Sequence, residues 1–182
     1  MATTRESLRS SGRVEPEAFR ERVAAKLGEA ANQVSLRFGQ IAVTASAERL
    51  VEVMKVLKED PELSCKYFTF LSAIDWQKEG FEVVIAVLSI RHLNTVVVKS
   101  RLSADDPRLP TLTSVYQGAN WHEREAAEMF GISFDGHPNL VKLYLPEDFI
   151  GHPLRKSFKL ASRTYKSWPG AKDPAEAEAG GR

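Results

Sequence analysis

The chain has 182 residues, 43% of them hydrophobic and 27% charged, and its 25 basic and 24 acidic side chains leave a formal net charge of +1. That length suits one domain with extensions, because single domains usually run to about 100–150 residues. Near-neutrality excludes the whole-chain basic footprint of a nucleic-acid binder; the lone Cys65 excludes an internal disulfide and, since iron-sulfur clusters generally take four thiolates, a cluster of its own.

Residues 1–14 are polar and small and read as a disordered lead-in. They lack the apolar centre of a secretory signal, and their Ser and Arg content is only faintly similar to an organellar transit peptide. Pro16 stands where a first helical turn tolerates proline, and Phe19, Val23 and Leu27 recur every four residues until Gly28, which predicts a helix. Residues 34–38 and 41–44 flank Gly39-Gln40 as a hairpin. Ser46 is placed to cap a second helix, in which Leu50, Val51, Met54 and Leu57 form one apolar stripe before Asp60-Pro61 ends it.

Three β-rich runs follow at 66–74, 81–90 and 95–102, with links short enough for antiparallel neighbours. The run 81–90 is apolar on both faces apart from Glu82, which predicts a central strand, and its apolar core is far short of the roughly twenty residues that cross a bilayer. The order of elements predicts an α+β domain over 15–134, with two layers: a mixed sheet covered by both helices on one face. A loop at 105–110, bracketed by Pro107 and Pro110, leads to a further helix over 121–130.

Residues 135–166 read as an extended docking arm. Its two Gly-His-Pro tripeptides, Gly136-His137-Pro138 and Gly151-His152-Pro153, each set a bend, because proline drives the residue before it into extended geometry and glycine permits conformations closed to others. The arm is predicted to follow the surface of another protein rather than to fold on itself, and 167–182, with Trp168, to form a flexible tail. No acidic residue stands between Asp148 and Asp173, where Arg155, Lys156, Lys159, Arg163, Lys166 and Lys172 all carry positive charge. This segregation fits either a solvated basic segment or a docking surface.

Successive residues of a helix turn by about 100°, so Glu123, Arg124 and Glu125 point in three directions and form no catalytic cluster. Arg124 and Glu128, four apart, are spaced to pair with each other. Trp121, Glu125 and Met129 share another face, on which a buried Glu125 would need a cationic or hydrogen-bonding partner. His122, His137 and His152 are each fifteen residues from the next and lack the close-spaced pair of a zinc site. His137 and His152 instead read as locks on the two bends, bonded to nearby carbonyls or carboxylates.

One long, ordered set of motifs carries a resemblance. It comprises Asp106-Pro107-Arg108-Leu109-Pro110, Ala119-Asn120-Trp121-His122-Glu123-Arg124-Glu125, Phe130-Gly131-Ile132 with Phe134-Asp135-Gly136-His137-Pro138, and Pro146-Glu147-Asp148 with Gly151-His152-Pro153-Leu154-Arg155-Lys156. Together these resemble the C-type (30 kDa-type) subunit family of NADH-quinone oxidoreductase, respiratory complex I. Phe149 departs from a frequent tryptophan, and Ser157 from the aspartate that commonly follows the Arg-Lys pair, which leaves the end of the arm more cationic.

The resemblance implies a component of the hydrophilic peripheral arm on the cytoplasmic side of the bacterial cell membrane, or on the matrix side in an organelle. It implies an enzyme only as part of the complex, with no catalytic, cofactor-binding or metal-binding residues in this chain. Flavin and iron-sulfur clusters are then held by partner subunits, and the chain packs against the D-type subunit and the other subunits of the quinone module. In this picture residues 151–156 form a docking clamp, with Arg155 paired to a carboxylate of a partner. Two other readings stand beside it: the equivalent subunit of a related membrane-bound hydrogenase or other-donor dehydrogenase, and a stand-alone metal-dependent enzyme using His137, His152 and the acidic helix.

Overall fold

In the computed structural model, which describes residues 13–159, Pro16 opens helix α1 (Pro16–Leu27) and Gly28 closes it with φ +50°. Phe19, Val23 and Leu27 are buried as one face, as their spacing predicts. Residues 1–12 of the expected lead-in, the last part of the expected arm at 160–166 and the expected tail at 167–182 lie outside the described residues. Val14 is held: its N–H donates to His92 O at 3.3 Å, and its carbonyl accepts Asn94 Nδ2 at 2.8 Å.

Strands β1 (Gln33–Arg37) and β2 (Gln40–Thr44) form the expected hairpin through Phe38 and Gly39. Helix α2 (Leu50–Glu59) buries Leu50, Val53, Met54 and Leu57. Ser46 does not cap it. The helix starts after Arg49, without a side-chain cap, and Ser46 contributes only its carbonyl, to Arg49 N–H at 3.2 Å. A capping side chain must sit directly before the first turn, and three turn residues, 47–49, separate Ser46 from it.

Strands β3 (Tyr67–Asp75), β4 (Phe81–Ser89) and β5 (Asn94–Leu102) complete a mixed five-stranded sheet of order β1-β2-β5-β4-β3, antiparallel except for the β2–β5 pair. The middle strand is β5; β4 is interior but one place off centre. Val83, Ile85 and Val87 are buried against the helices, while Val84 and Leu88 on the opposite face are only partly buried, so the run is apolar on both sides but covered by helices on one.

Side chains alternate across a strand, and the register sorts the sheet into two faces. Ile41, Val43, Leu71, Val83, Ile85, Val87, Val96 and Val98 lie on one face and join the helices in a single core. Each large aliphatic side chain buried there contributes about 1.5–3 kcal/mol. Val84, Ala86, Val97 and Lys99 alternate onto the other face, which no described helix covers. This is the predicted two-layer α+β arrangement.

The expected loop at 105–110 contains a strand instead. β6 (Arg108–Pro110) pairs in parallel with β7 (Ser133–Asp135), on either side of helix α3 (Ala119–Phe130). Thr111 N–H donates to Asp135 O at 2.9 Å, so the chain enters and leaves the helical segment at one place. The pairing joins residues far apart in sequence, and local proline content carries no record of it. Helix α3 packs on the same covered face, where Phe68 of β3 meets His122 and Tyr116 at ring-centroid distances of 5.5 Å.

Candidate functional site

Helix α3 is the element on which the arm is laid. Ala119, Glu123, Ala126 and Phe130 recur at helical spacing and face inward, so the acid buried in the core is Glu123, while Glu128 is also buried and Glu125 only partly so. The Glu123 carboxylate accepts the Thr111 hydroxyl and the Leu112 N–H, each at 2.6 Å. Burial raises its pKa above the ordinary glutamate value, and the two hydrogen bonds offset part of that rise. The helical stripe itself carried this signal, since Glu123 falls in line with the apolar positions.

His137 comes to rest beside this acid, its Nε2 4.0 Å from Glu123 Oε2, and both side chains are sealed from solvent. Its Nδ1 accepts Asn139 N–H at 3.0 Å, which puts the ring proton on Nε2, facing Asn120 O at 3.3 Å. This locks the first Gly-His-Pro bend in the predicted manner.

Arg124 and Glu128 share a face but do not pair. Arg124 donates from Nε to Val141 O at 2.9 Å and from Nη2 to Lys142 O at 3.0 Å, while its guanidinium lies over the Trp121 ring. Glu128 accepts the next three backbone N–H groups, Leu143 at 2.9 Å, Tyr144 at 3.0 Å and Leu145 at 2.6 Å. A cation thus holds two carbonyls and an anion one turn on holds three amides, so the helix grips the arm by its backbone polarity. Strong charge-assisted bonds to the arm replace a weak exposed ion pair. Burial acts to raise the Glu128 pKa, but the three amides and nearby Lys142 together hold it below the ordinary value.

The second Gly-His-Pro bend closes the helix end. The last carbonyls of a helix have no partner within it; here His152 Nδ1 donates to Glu128 O at 2.8 Å and Leu154 N–H to Met129 O at 3.1 Å. Arg155 Nε reaches Phe130 O at 2.5 Å and its Nη2 reaches Gly131 O at 3.4 Å. The guanidinium also covers the Phe81 ring, and Lys156 N–H donates to Asp75 Oδ2 at 2.7 Å. Arg155 therefore binds its own chain, where the negative end of the helix dipole favours a cation.

The arm is thus not held off the domain. Over the described residues 135–159 its inner flank is fastened to α3, because the helix supplies a side chain or carbonyl for each polar backbone group it meets. The outer flank is different: Ile150 is 90% exposed, and Leu140, Val141, Tyr144 and Leu154 are exposed, as is Trp121 on α3.

The structure disperses the three histidines. His122 lies against Phe68, His137 against Glu123 and His152 on the helix end. Among the described residues no group of three or more His, Cys, Asp or Glu side chains is arranged to hold a metal ion. Cys65 is buried, and burial pushes its pKa up to about 12, which leaves the thiol protonated and inert. No helix among the described residues is long and apolar enough to cross a membrane.

Residues 43–164 match the model of the respiratory-chain NADH dehydrogenase 30 kDa subunit family. The C-type subunit of NADH-quinone oxidoreductase from Roseiflexus castenholzii is 40% identical over 68% of this chain and 72% of that one. A Sulfurihydrogenibium protein whose name joins the C and D subunits of NADH-quinone oxidoreductase is 42% identical over 70% of this chain and 22% of its own length. Among solved structures, a trypsin-resistant fragment (1-134) of Nqo5 superposes with a TM-score of 0.58 at 27% identity, covering 70% of this chain and all of that one.

Proposed function

Because the chain belongs to the 30 kDa subunit family of respiratory-chain NADH dehydrogenase, and so is part of a complex I-type NADH-quinone oxidoreductase, we propose that it serves that complex as a docking piece. In this reading it contributes no catalytic residue, cofactor or metal of its own, and flavin and iron-sulfur clusters belong to its partners. It sits on the cytoplasmic side of the membrane and supports assembly of the quinone-reducing module, with the D-type subunit as its principal neighbour. The relative in which C and D are named as one protein supports that neighbour, since fusion keeps two chains at high effective concentration.

The observation that carries the reading is the two-sided character of the arm. Its backbone is held by Arg124 and Glu128 of α3 at residues 141–145 and by its own Lys142 at residues 146, 147 and 149, and its apolar side chains, Ile150, Tyr144 and Val141 among them, are exposed. Exposed apolar side chains gathered on one pre-ordered segment mark an interaction surface, and a standard interface buries roughly 800 Å² per partner. A segment already fixed on its own domain loses little entropy on docking.

The test is a tagged chain expressed in its own complex. Ile150→Asp combined with Tyr144→Asp leaves the bonds to α3 untouched and is expected to lower co-purification of the D-type subunit at least tenfold, with the thermal unfolding of the isolated chain unchanged. Undiminished recovery of that subunit would remove the arm from the docking surface. A stoichiometric flavin or iron-sulfur absorbance in the isolated chain would overturn the cofactor assignment.

A further inference from the structure

The sheet face turned away from the helices is built as a trough. Its register rows are Phe70, Ala86, Val97, Ala42 and Ser35 across the middle, with Ser72, Val84, Lys99 and Thr44 on one side and Tyr67, Leu88 and Thr95 on the other. Small side chains therefore form the floor, while large ones, Tyr67, Phe70 and Ile74, stand along the outer strand β3 as a wall. Tyr67 is 52% exposed, Ile74 40% and Phe70 39%; Val84, Leu88 and Val97 are half-buried and Ala86 is buried beneath its neighbours, and none of these belongs to the core cluster.

Such a face usually alternates to polar side chains when it meets only water. Three strands of nine residues and two of five, about 4.8 Å apart, give a face of roughly 600 Å² in all. The whole face, polar positions included, approaches one side of a standard interface.

Charge specifies the occupant. At one end of the trough Glu82 is shared by two cations, with Lys99 Nζ at 3.8 Å and Arg101 Nε at 3.2 Å, and Arg101 also lies over the Trp76 ring, 4.8 Å from its centre. The register places Arg37 on the same face. Two cations face one carboxylate at that end, and Arg37 stands at the opposite end, in the row of Thr95 and Leu88, so positive charge is in excess at both. A two-fold copy of the same face would set cations against cations, and the near-neutral chain lacks the charge of a nucleic-acid surface.

We propose that this open face is a second docking surface, separate from the arm, for another subunit of the complex that presents an apolar segment flanked by carboxylates to Lys99 and Arg101. The apolar segment lies on the Ala86 and Val97 floor against the β3 wall, and its acidic flank meets the Lys99–Arg101 end. The inference rests on the chain being part of an assembly, but not on what the arm binds.

The experiment replaces Phe70 with p-benzoylphenylalanine in the assembled complex and irradiates it. An adduct whose mass is this chain plus a different subunit is the expected result, with its yield lowered at least fivefold by Lys99→Glu combined with Arg101→Glu. Far-UV circular dichroism of the isolated variants checks that they fold. An adduct confined to this chain, including residues 160–182, an adduct between two copies, nucleic acid in place of protein, or no adduct would each overturn the proposal. A yield indifferent to charge reversal would overturn the acidic partner. If the chain recovers no other subunit at all, the assembly reading falls with it; recovery of subunits without an adduct at Phe70 refutes this face alone.

Discussion

Glu128 holds Leu145 by a 2.6 Å bond from the Leu145 N–H to its carboxylate, and the same carboxylate accepts the two preceding amides. Three consecutive N–H groups converging on one anion are what fix the middle of the arm. Glu128→Ala is expected to release that stretch, at a cost of about 1–3 kcal/mol in arm docking. Hydrogen exchange at Leu143, Tyr144 and Leu145 should accelerate, while amides of β4 stay protected. The folded-state pKa of Glu128 lies below its ordinary value of 4.5, so its contribution is complete above that value and is lost as pH falls through the lower folded value. The protection factors of these three amides, taken against their intrinsic exchange rates at each pH, should therefore fall on acidification below pH 4.5, and not in Glu128→Ala.

Gly131 ends α3 with φ +71°, and a β-carbon there would come within 2.5 Å of Arg155 Nη2 and 2.6 Å of His152 Nε2. Gly131→Ala is predicted to destabilise the chain by about 1–2 kcal/mol from the left-handed backbone alone, and further by pushing away the two side chains that cap the helix. Arg155→Ala removes one of those side chains in advance. In a double-mutant cycle by chemical denaturation, the two changes should cost less together than their sum by at least about 0.5 kcal/mol. Strict additivity would show that the Arg155 latch is not what Gly131 accommodates.

Glu123 behaves in the opposite sense to Glu128. Its folded pKa is raised by burial, so the folded state holds its proton more tightly than the unfolded chain does, and stability falls as pH rises from the ordinary value of 4.5 toward the raised one. Glu123→Gln should flatten the pH dependence of unfolding free energy in that window. Glu123→Ala should lower stability at every pH by about 1–3 kcal/mol, because Leu112 N–H loses its buried acceptor.

Phe38 offers a stabilising change. It turns the β1–β2 hairpin with φ +52°, followed by Gly39 at φ +75°, and its side chain is fully exposed, so its replacement leaves the packing of the chain as it is. The left-handed conformation costs a side-chain-bearing residue about 1–2 kcal/mol, and two-residue hairpins of this geometry favour Asn-Gly. Phe38→Asn should raise the melting temperature by a few degrees, measured by differential scanning calorimetry.

Much of the architecture was legible because it rests on short-range patterns. Phe19, Val23 and Leu27, and Leu50, Met54 and Leu57, each announce a helix face by their spacing, and the β-rich runs predict strands to within one residue or so of those found. The candidate site was legible in outline. Arg124 and Glu128 were rightly placed on one face, and the two histidines rightly read as locks, but Arg124 and Glu128 do not pair with each other, and Arg155 bonds to carbonyls of its own helix end. Each had an opposite charge available by spacing or by analogy, whereas the structure offers backbone groups in larger number and closer reach.

By itself, the sequence settled where the chain bends, which stretches alternate or turn with helical period, and to which family the motifs belong, because these depend on each residue and its near neighbours. Tertiary structure alone decided that the arm lies on α3, that β6 and β7 pair, and that no helix among the described residues covers one face of the sheet. Those outcomes join groups distant in the chain, the Lys156 amide and the Asp75 carboxylate being 81 residues apart. A hydrogen bond over such a separation forms only when the intervening fold brings both groups together, and no local pattern records that approach.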